Sequence, residues 1–293
     1  MDYKNTYIDF LKKKLNVSKP LKVIFDVSNG PAGMIIKDLF AETNVNAIVI
    51  NDEIDADFKA HGPNPLLDGA SLQCKKAILE NGADLGLMFD ADADRAFFLD
   101  DRGEMIPACF VVGLLKSEFN PPYILDELVY QSVRLLKLVP EEQMVPSRIG
   151  AYFIKETLRG QNADFGAEYS GHYYFKEFFN ADSGIFAAIT FLNSISKMEK
   201  NLSEWQKEFG EHIVTTKEIK TEGKDMAVIY TEVEKSLGKR ANRIDRRDGL
   251  TFVFNEFWVN IRSSNTEPIL RIVAGGMGME STTMEIEELI AKL

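Results

Sequence analysis

Cysteine is almost absent. The chain of 293 residues carries two, Cys74 and Cys109, far apart and in no metal-binding spacing. That excludes a disulfide framework and a thiolate metal site, and it suits a reducing cytoplasm. Histidine is nearly as scarce, with three residues. No apolar run reaches bilayer-spanning length, and Met1-Asp2-Tyr3-Lys4-Asn5 has no cationic stretch leading into an apolar one. A soluble, cytoplasmic protein with no membrane association is therefore expected. Long basic runs are missing too. Lys239-Arg240 and Arg243 to Arg247 form the one basic cluster; acidic residues interrupt it, and it reads as a solvated surface. With a formal net charge of −11, this excludes a general nucleic-acid binder.

What is there is enough apolar residue, 45%, to bury cores for two or three domains. Apolar spacing predicts a helix over Tyr7 to Leu15, closed by Pro20, then a strand over Leu21 to Val27. The turn Ser28-Asn29-Gly30-Pro31-Ala32-Gly33 opens a helix over Met34 to Phe40, and a strand follows at Ala47 to Ile50. As a lone Gly-rich turn it is weak support for a phosphate cradle. A helix over Leu72 to Asn81 stops at Gly82, the run Ala83 to Phe89 is a strand, and Ala96 to Leu99 is another. A second α/β pattern has helices at Cys109 to Ser117, Leu128 to Leu136, Tyr152 to Leu158 and Ile185 to Met198. Its strands are Tyr123 to Leu125 and Ala163 to Glu168. Lys197 to Ser203 reads as a linker or a helix end. The last region changes character: strands at Val214 to Ile219, Thr251 to Phe254, Phe257 to Arg262 and Leu270 to Ala274, and a closing helix from Glu280 to Leu293.

Three loops carry chemistry. Asp90-Ala91-Asp92-Ala93-Asp94-Arg95 puts carboxylates on alternate residues after a buried strand, the usual place for a ligand in an α/β sheet. Carboxylates so close repel unless positive charge compensates them, and oxygen-only ligands point to a hard ion. A solvated acidic loop is the competing reading, and spacing leaves both open. A calcium loop is disfavoured, because no Gly stands sixth and Asp101 rather than Glu stands twelfth. In Gly166-Ala167-Glu168-Tyr169-Ser170-Gly171-His172, the Glu, Ser and His offer donors and acceptors suited to sugar hydroxyls. His172 is suited to proton transfer or to hydrogen bonding a sugar. Arg262-Ser263-Ser264-Asn265-Thr266-Glu267-Pro268 combines a guanidinium, hydroxyls, an amide and turn N–H groups, a set that can cradle phosphate or form an ordinary turn.

In this order the three loops resemble those of the α-D-phosphohexomutases, closest in style to phosphomannomutase/phosphoglucomutase members. Asp26-Val27-Ser28-Asn29-Gly30, His61-Gly62-Pro63-Asn64-Pro65-Leu66, Tyr173-Tyr174-Phe175-Lys176-Glu177, Asp182-Ser183-Gly184, and Asp248-Gly249-Leu250 followed by Trp258 agree with it. The resemblance spans essentially the whole chain. It implies two consecutive phosphohexomutase-type α/β domains, 1–105 with the metal loop and 106–205 with the sugar loop, followed by a smaller α+β C-terminal phosphate-binding domain, 206–293. It implies a Mg²⁺ isomerase of carbohydrate metabolism that moves a phosphoryl group between the 1- and 6-positions of a mannose or glucose phosphate. The route passes through a phosphoserine and a 1,6-bisphosphate. Asp90, Asp92 and Asp94 would hold the metal, with Arg95 beside it as a catalytic residue. Glu168 and Ser170 would bind sugar hydroxyls, and His172 would lie near the reacting hydroxyl as a catalytic and binding residue. Arg148 would orient the sugar, and Arg262, Ser264, Asn265 and Thr266 would bind the non-reacting phosphate.

The chain also departs from the pattern. It has no T-A-S-H-N-P-like loop, which in the family carries the nucleophilic serine in domain 1, and Tyr7 to Leu15 resembles the connector that follows that domain. Ala151 stands where many relatives place a polar residue, often His. Ala91 and Ala93 replace glycines common in the metal loop. Ala-Glu-Tyr-Ser rather than Gly-Glu-Gln-Ser points away from an amino sugar. Two expectations follow. One is domains 2 to 4 of a mutase, a truncated chain or half of a split enzyme, inactive alone and partnered by a separate domain 1 polypeptide. The other is a non-catalytic sugar-phosphate binding or regulatory protein.

Overall fold

The first 99 residues build a four-stranded sheet around apolar runs that are buried on both faces. The computed structural model describes residues 2–210, 212–221, 223–264 and 268–293. Helix α1 (Tyr3–Lys12) precedes β1 (Leu21–Asp26), α2 (Gly33–Phe40), β2 (Val45–Ile50), α3 (Leu72–Asn81), β3 (Leu85–Phe89) and β4 (Ala96–Leu99). The strand order is β2-β1-β3-β4, with β1 parallel to both β2 and β3, and β4 antiparallel at the edge. Every residue of β3 is buried, as a strand covered on both faces must be. Gly82 ends α3 in the left-handed conformation (φ 55°) that a glycine adopts without cost.

A second sheet is made by α4 (Ala108–Leu115), β5 (Tyr123–Asp126), α5 (Glu127–Leu135), β6 (Met144–Ser147), α6 (Ala151–Gly160), β7 (Phe165–Ala167), β8 (Tyr173–Phe175), β9 (Ala181–Asp182), α7 (Gly184–Ile195) and α8 (Leu202–Lys207). Its order is β6-β5-β7-β8-β9. Helix α7 is buried along its whole length, which explains why it is apolar on every side. It lies against the first sheet, where Phe191 stacks on Phe98 with centroids 4.0 Å apart, and Phe186 meets Phe10 of α1. One continuous apolar core thus runs through both units.

The remainder is β10 (Ile213–Lys220), α9 (Met226–Leu237), β11 (Arg243–Asp245), β12 (Leu250–Val253), β13 (Phe257–Ser263), β14 (Ile269–Gly276) and α10 (Glu280–Lys292). Its sheet, β10-β14-β13-β12-β11, is antiparallel throughout, with α9 and α10 closing a separate core. Two α/β units followed by a smaller α+β unit agree with the expected fold class.

Several boundaries differ from the sequence reading. Helix α1 begins at Tyr3 because the Asp2 carboxylate caps it, accepting from the Asn5 N–H, and it stops at Lys12 rather than Leu15. Helix α7 ends at Ile195, and the polar stretch after it leads into α8 at Leu202. The basic cluster needs a larger correction. Residues 243–245 form edge strand β11, and Arg247 reaches across to donate to Glu127, which is fully buried at the start of α5. Asp245 lies 3.1 Å from the same guanidinium, Gln131 donates to the other Glu127 oxygen, and Arg243 pairs with Glu141. Arg247 and Arg243 thus fasten the third unit to the second; the correction concerns Arg247, since Lys239, Arg240, Arg243 and Arg246 are exposed, as a solvated surface requires.

Arg247→Ala should therefore destabilise the protein by roughly 2 kcal/mol. That is less than the ~3–5 kcal/mol for breaking a fully buried pair, because Arg247 keeps partial contact with water. Glu127→Gln should cost less than Arg247→Ala, since it removes the charge that would be stranded. Urea unfolding curves of the two variants test the ranking; a milder effect for Arg247→Ala would contradict it.

Candidate functional site

Loops at the strand ends are stitched together by backbone. The Ala96 N–H donates to the Gly171 carbonyl at 3.1 Å, Arg95 and His172 form an antiparallel bridge, and the Gly184 N–H donates to Ala93 at 3.0 Å. A Cβ on Gly184 would stand 2.5 Å from the Arg95 carbonyl, so only glycine permits that approach. The aspartate loop and the Glu168–His172 loop are therefore one assembly.

Within it Asp90 is buried and accepts from Arg95 twice, from the backbone N–H at 3.1 Å and from Nε at 2.6 Å. Asp92 is exposed, and Asp94 is half-buried. One oxygen from each of the three lies within 4.8 Å of the others. Asp94 Oδ2 is 3.4 Å from His172 Nε2, while its Oδ1 is buried with no hydrogen-bond partner. Burial, and then the charge of Asp90, pushes the Asp94 carboxyl up to about 6, with His172 opposing. An orphaned carboxylate oxygen in an all-oxygen cluster fits a hard divalent cation, which would supply the missing contact.

His172 Nδ1 and Ser170 Oγ are hydrogen-bonded at 2.8 Å. Glu168 is turned inward: it accepts from the Gly150 N–H and from the Tyr174 hydroxyl, both at 2.6 Å, and lies 3.4 Å from His172 Nδ1. Arg148 is exposed, with its guanidinium 4.2 Å from the Phe153 ring centroid. Its neighbour Ile149 donates its N–H to Asp248 Oδ2 at 3.3 Å, and Arg262 lies 3.9 Å from that same oxygen. Arg262 Nε is buried without a hydrogen-bond partner. The Ser264 N–H donates to the Ile269 carbonyl. Asn265 and Thr266 lie outside the described residues. Asp90, Asp92, Asp94, Arg95, Glu168, Ser170 and His172 thus form one chain of contacts. Arg148 adjoins it through the backbone, and Arg262 approaches it through Asp248.

Four members of this network were given no role in the sequence. Asp182 comes within 4.8 Å of Asp94 and His172 because β9 pairs with β8, and Lys155 holds it at 2.7 Å. Asp248 and Tyr174 join the loops as described. Asp182 and Asp248 each stand one or two residues before a glycine, a turn signal that marks a loop without revealing its partner. Lys155 sits mid-helix and gives no signal.

Comparison with known proteins adds to this geometry. Models of phosphoglucomutase/phosphomannomutase alpha/beta/alpha domain II, alpha/beta/alpha domain III and the C-terminal domain match residues 5–103, 137–212 and 213–293. A phosphomannomutase of Salmonella montevideo is 32% identical over 303 residues, covering 98% of this chain and 66% of its own length. A phosphoglucomutase/phosphomannomutase family protein from Burkholderia thailandensis superposes with a TM-score of 0.83 at 20% identity, over 99% of this chain and 64% of that one. An Aspergillus fumigatus N-acetylphosphoglucosamine mutase in complex with GlcNAc-6P and magnesium has a TM-score of 0.63 at 12% identity, covering 98% of this chain and 68% of that one. The chain spans about two thirds of the length of the curated relatives it matches.

The support beneath the loops has its own pH signature. Asp126 is fully buried at the start of α5 and accepts from the Val129 and Tyr169 N–H groups. Burial pushes its carboxyl up to about 7, against those two hydrogen bonds. Unfolded, it titrates near ~4. Between those values the folded state holds a proton that the unfolded chain has released, so this group's contribution to stability falls as pH rises from about 4 through about 7. Asp126→Asn removes the titration. The stability of the wild type relative to this variant should be greatest at about pH 4 and below and shrink steadily to about pH 8 in denaturant titrations; a constant difference would contradict the assignment.

Proposed function

This chain belongs to the phosphoglucomutase/phosphomannomutase family, and on that premise we propose that it holds the cation, sugar and phosphate subsites of a hexose-phosphate mutase. The observation that carries the proposal is the placement of Asp94: its Oδ1 is buried without a hydrogen-bond partner, its Oδ2 lies 3.4 Å from His172 Nε2, and one of its oxygens is within 4.8 Å of one from each of Asp90 and Asp92. Asp90, Asp92 and Asp94 would hold Mg²⁺, in keeping with the magnesium of the Aspergillus enzyme. When bound, such an ion supplies charge neutralisation for a transferring phosphoryl group.

The chain's own residues do the rest. Arg95 orients Asp90 through two hydrogen bonds, one from its backbone N–H and one from Nε. Ser170 and His172 offer a hydroxyl and a ring nitrogen at the mouth of the same loop, suited to a sugar hydroxyl and its proton. Glu168 is buried and orders that loop by joining it to Gly150 and Tyr174, and it is the proposed acceptor for a sugar hydroxyl. Arg262, with its unpaired Nε, is the cation for the distal phosphate, and Ser264, Asn265 and Thr266 belong to the same subsite. Arg148 orients the sugar from the opposite loop. Mannose and glucose phosphates are the proposed ligands, and the cytoplasm the proposed location. Among the described residues no helix is long and apolar enough to cross a membrane.

The serines of these loops are committed elsewhere. Ser28 is buried and donates to the Phe89 carbonyl, Ser170 is bound to His172, and Ser183 caps α7. In-line transfer needs a nucleophilic oxygen at the cation, so these 293 residues alone should show little or no mutase turnover.

Calorimetry with mannose 1-phosphate, with glucose 1-phosphate and with inorganic phosphate tests the binding. Arg262→Ala should weaken all three by about 10- to 100-fold, the worth of a charged hydrogen bond. Glu168→Ala should weaken the sugar phosphates more than phosphate, and equal losses would count against a sugar contact. A mutase assay with Mg²⁺ and glucose 1,6-bisphosphate tests the rest. Robust turnover by the chain alone would overturn the expected inactivity. Turnover restored by a separately expressed serine-bearing domain would distinguish a split enzyme from a sugar-phosphate binding protein.

A further inference from the structure

Beneath the aspartate loop lies a buried polar layer to which the proposed chemistry assigns nothing. Strand β1 ends at Asp26, beside Met88 of β3, one residue short of the strand's end and two before Asp90. Asp26 is fully buried yet surrounded by donors. Asn51 Nδ2 lies 3.0 Å from both its oxygens, the Ser28 N–H donates to Oδ1 at 3.0 Å, and His61 Nε2–H donates to the same oxygen at 3.1 Å. The His61 side chain is 4% exposed, and its Nδ1 is buried without a hydrogen-bond partner. A buried carboxylate met by three donors from three chain segments is a joint between those segments.

Three contacts lead from this joint to the aspartates. The Ser28 hydroxyl donates to the carbonyl of Phe89, whose peptide group continues into Asp90. Two residues beyond His61, the Pro63 carbonyl accepts the N–H of Ala91, the residue between Asp90 and Asp92, at 3.0 Å. Gly30 packs so closely on Ala91 that an added Cβ would stand 2.2 Å from its carbonyl oxygen. The peptide groups on both sides of Asp90 are therefore held from below, by residues that touch no carboxylate of the triplet. Ser28 makes its contact from a left-handed backbone (φ 50°), as does Asn29 after it (φ 56°). A side chain retained where glycine would be unstrained points to a task for its hydroxyl.

We propose that Asp26, Ser28 and His61 are positioning residues for the cation loop, acting through Phe89 and Ala91 on the placement of Asp90 and Asp92. The inference rests on the reading of Asp90, Asp92 and Asp94 as a divalent-cation site. Outer contacts of this kind orient the groups that ligate, and losing one typically lowers metal affinity about 10- to 100-fold.

Ser28→Gly separates positioning from bulk stability, since it deletes the hydroxyl while relieving the left-handed strain. Mn²⁺ binding to the purified chain, followed by the electron paramagnetic resonance of free Mn²⁺, should weaken about tenfold or more, with the thermal midpoint of the metal-free protein at or above that of the wild type. His61→Leu should weaken Mn²⁺ binding likewise. His61→Gln, whose amide can still donate to Asp26, should restore it close to the wild-type value. Wild-type affinity in both Ser28→Gly and His61→Leu overturns the positioning role while leaving the cation site standing. Failure of His61→Gln to rescue overturns the route through Asp26. Absence of Mn²⁺ binding by the wild type overturns the cation site and the positioning role together.

Discussion

Three carboxylates crowd into one loop, and the surrounding structure is organised around that repulsion. At 4.8 Å, two unit charges repel by about 3–4 kcal/mol at an effective dielectric of ~20. Asp90 is relieved by the guanidinium and backbone N–H of Arg95, and Asp94 by the neighbouring His172 ring and by a carboxyl pushed up toward 6. Asp94 Oδ1 lies 3.8 Å from Arg95 Nε but accepts no hydrogen bond. A loop under such internal stress keeps its shape only if its peptide groups are tied down from outside. The bonds from Gly171, Pro63 and Gly184 do this at Ala96, Ala91 and Ala93 in turn.

The same constraint explains why the second unit shares its core with the first, while the third is joined by polar contacts. The Glu168–His172 loop must keep register with the aspartate loop, and a common apolar core with the fully buried α7 fixes that register. The third unit meets the second through Arg247–Glu127, Arg243–Glu141 and Asp248, with a small apolar cluster of Leu128, Trp258 and Val273 beneath. Polar junctions define orientation with less apolar burial than a shared core. Asp248 bears on Arg262 and on the Ile149 N–H, next to the Gly150 N–H that donates to Glu168. Placement of Arg262 and of the Glu168–His172 loop thus meets at one carboxylate.

Legibility in the sequence followed local periodicity and stopped at pairings. Strands β3 and β4 and helix α3 were readable because apolar runs and a terminal glycine are local signals, and α3 falls on Leu72–Asn81 as its spacing predicts. Edge strand β11 was not, because its arginine and aspartate, with Arg246 and Arg247 after them, suggest a solvated surface until Glu127 is seen beneath Arg247. The aspartate triplet stood out by its spacing, which left a metal site and a solvated acidic loop both open. Asp182 could not, since it reaches Asp94 and His172 only through the two-residue pairing of β9 with β8. Asp26 and His61 are thirty-five residues apart, and nothing local joins them.

Some of the chain's left-handed non-glycine residues lie where this dependence is greatest. Ser28 and Asn29 are consecutive residues in left-handed conformations, each costing about 1–2 kcal/mol relative to ordinary backbone. Asn29 offsets its share with its amide, which donates to the Glu53 carbonyl and accepts from the Ala60 N–H, ordering the segment that leads to His61. Ser28 offsets its share with the Phe89 contact and the link to Asp26. Both strained residues therefore spend their side chains on the strand end and the loop that frame Asp90. A glycine pair would make the same turn with less strain and would hold neither. At Ser28 the conformational cost thus stands beside the repelling carboxylates, where rigid peptide groups matter most.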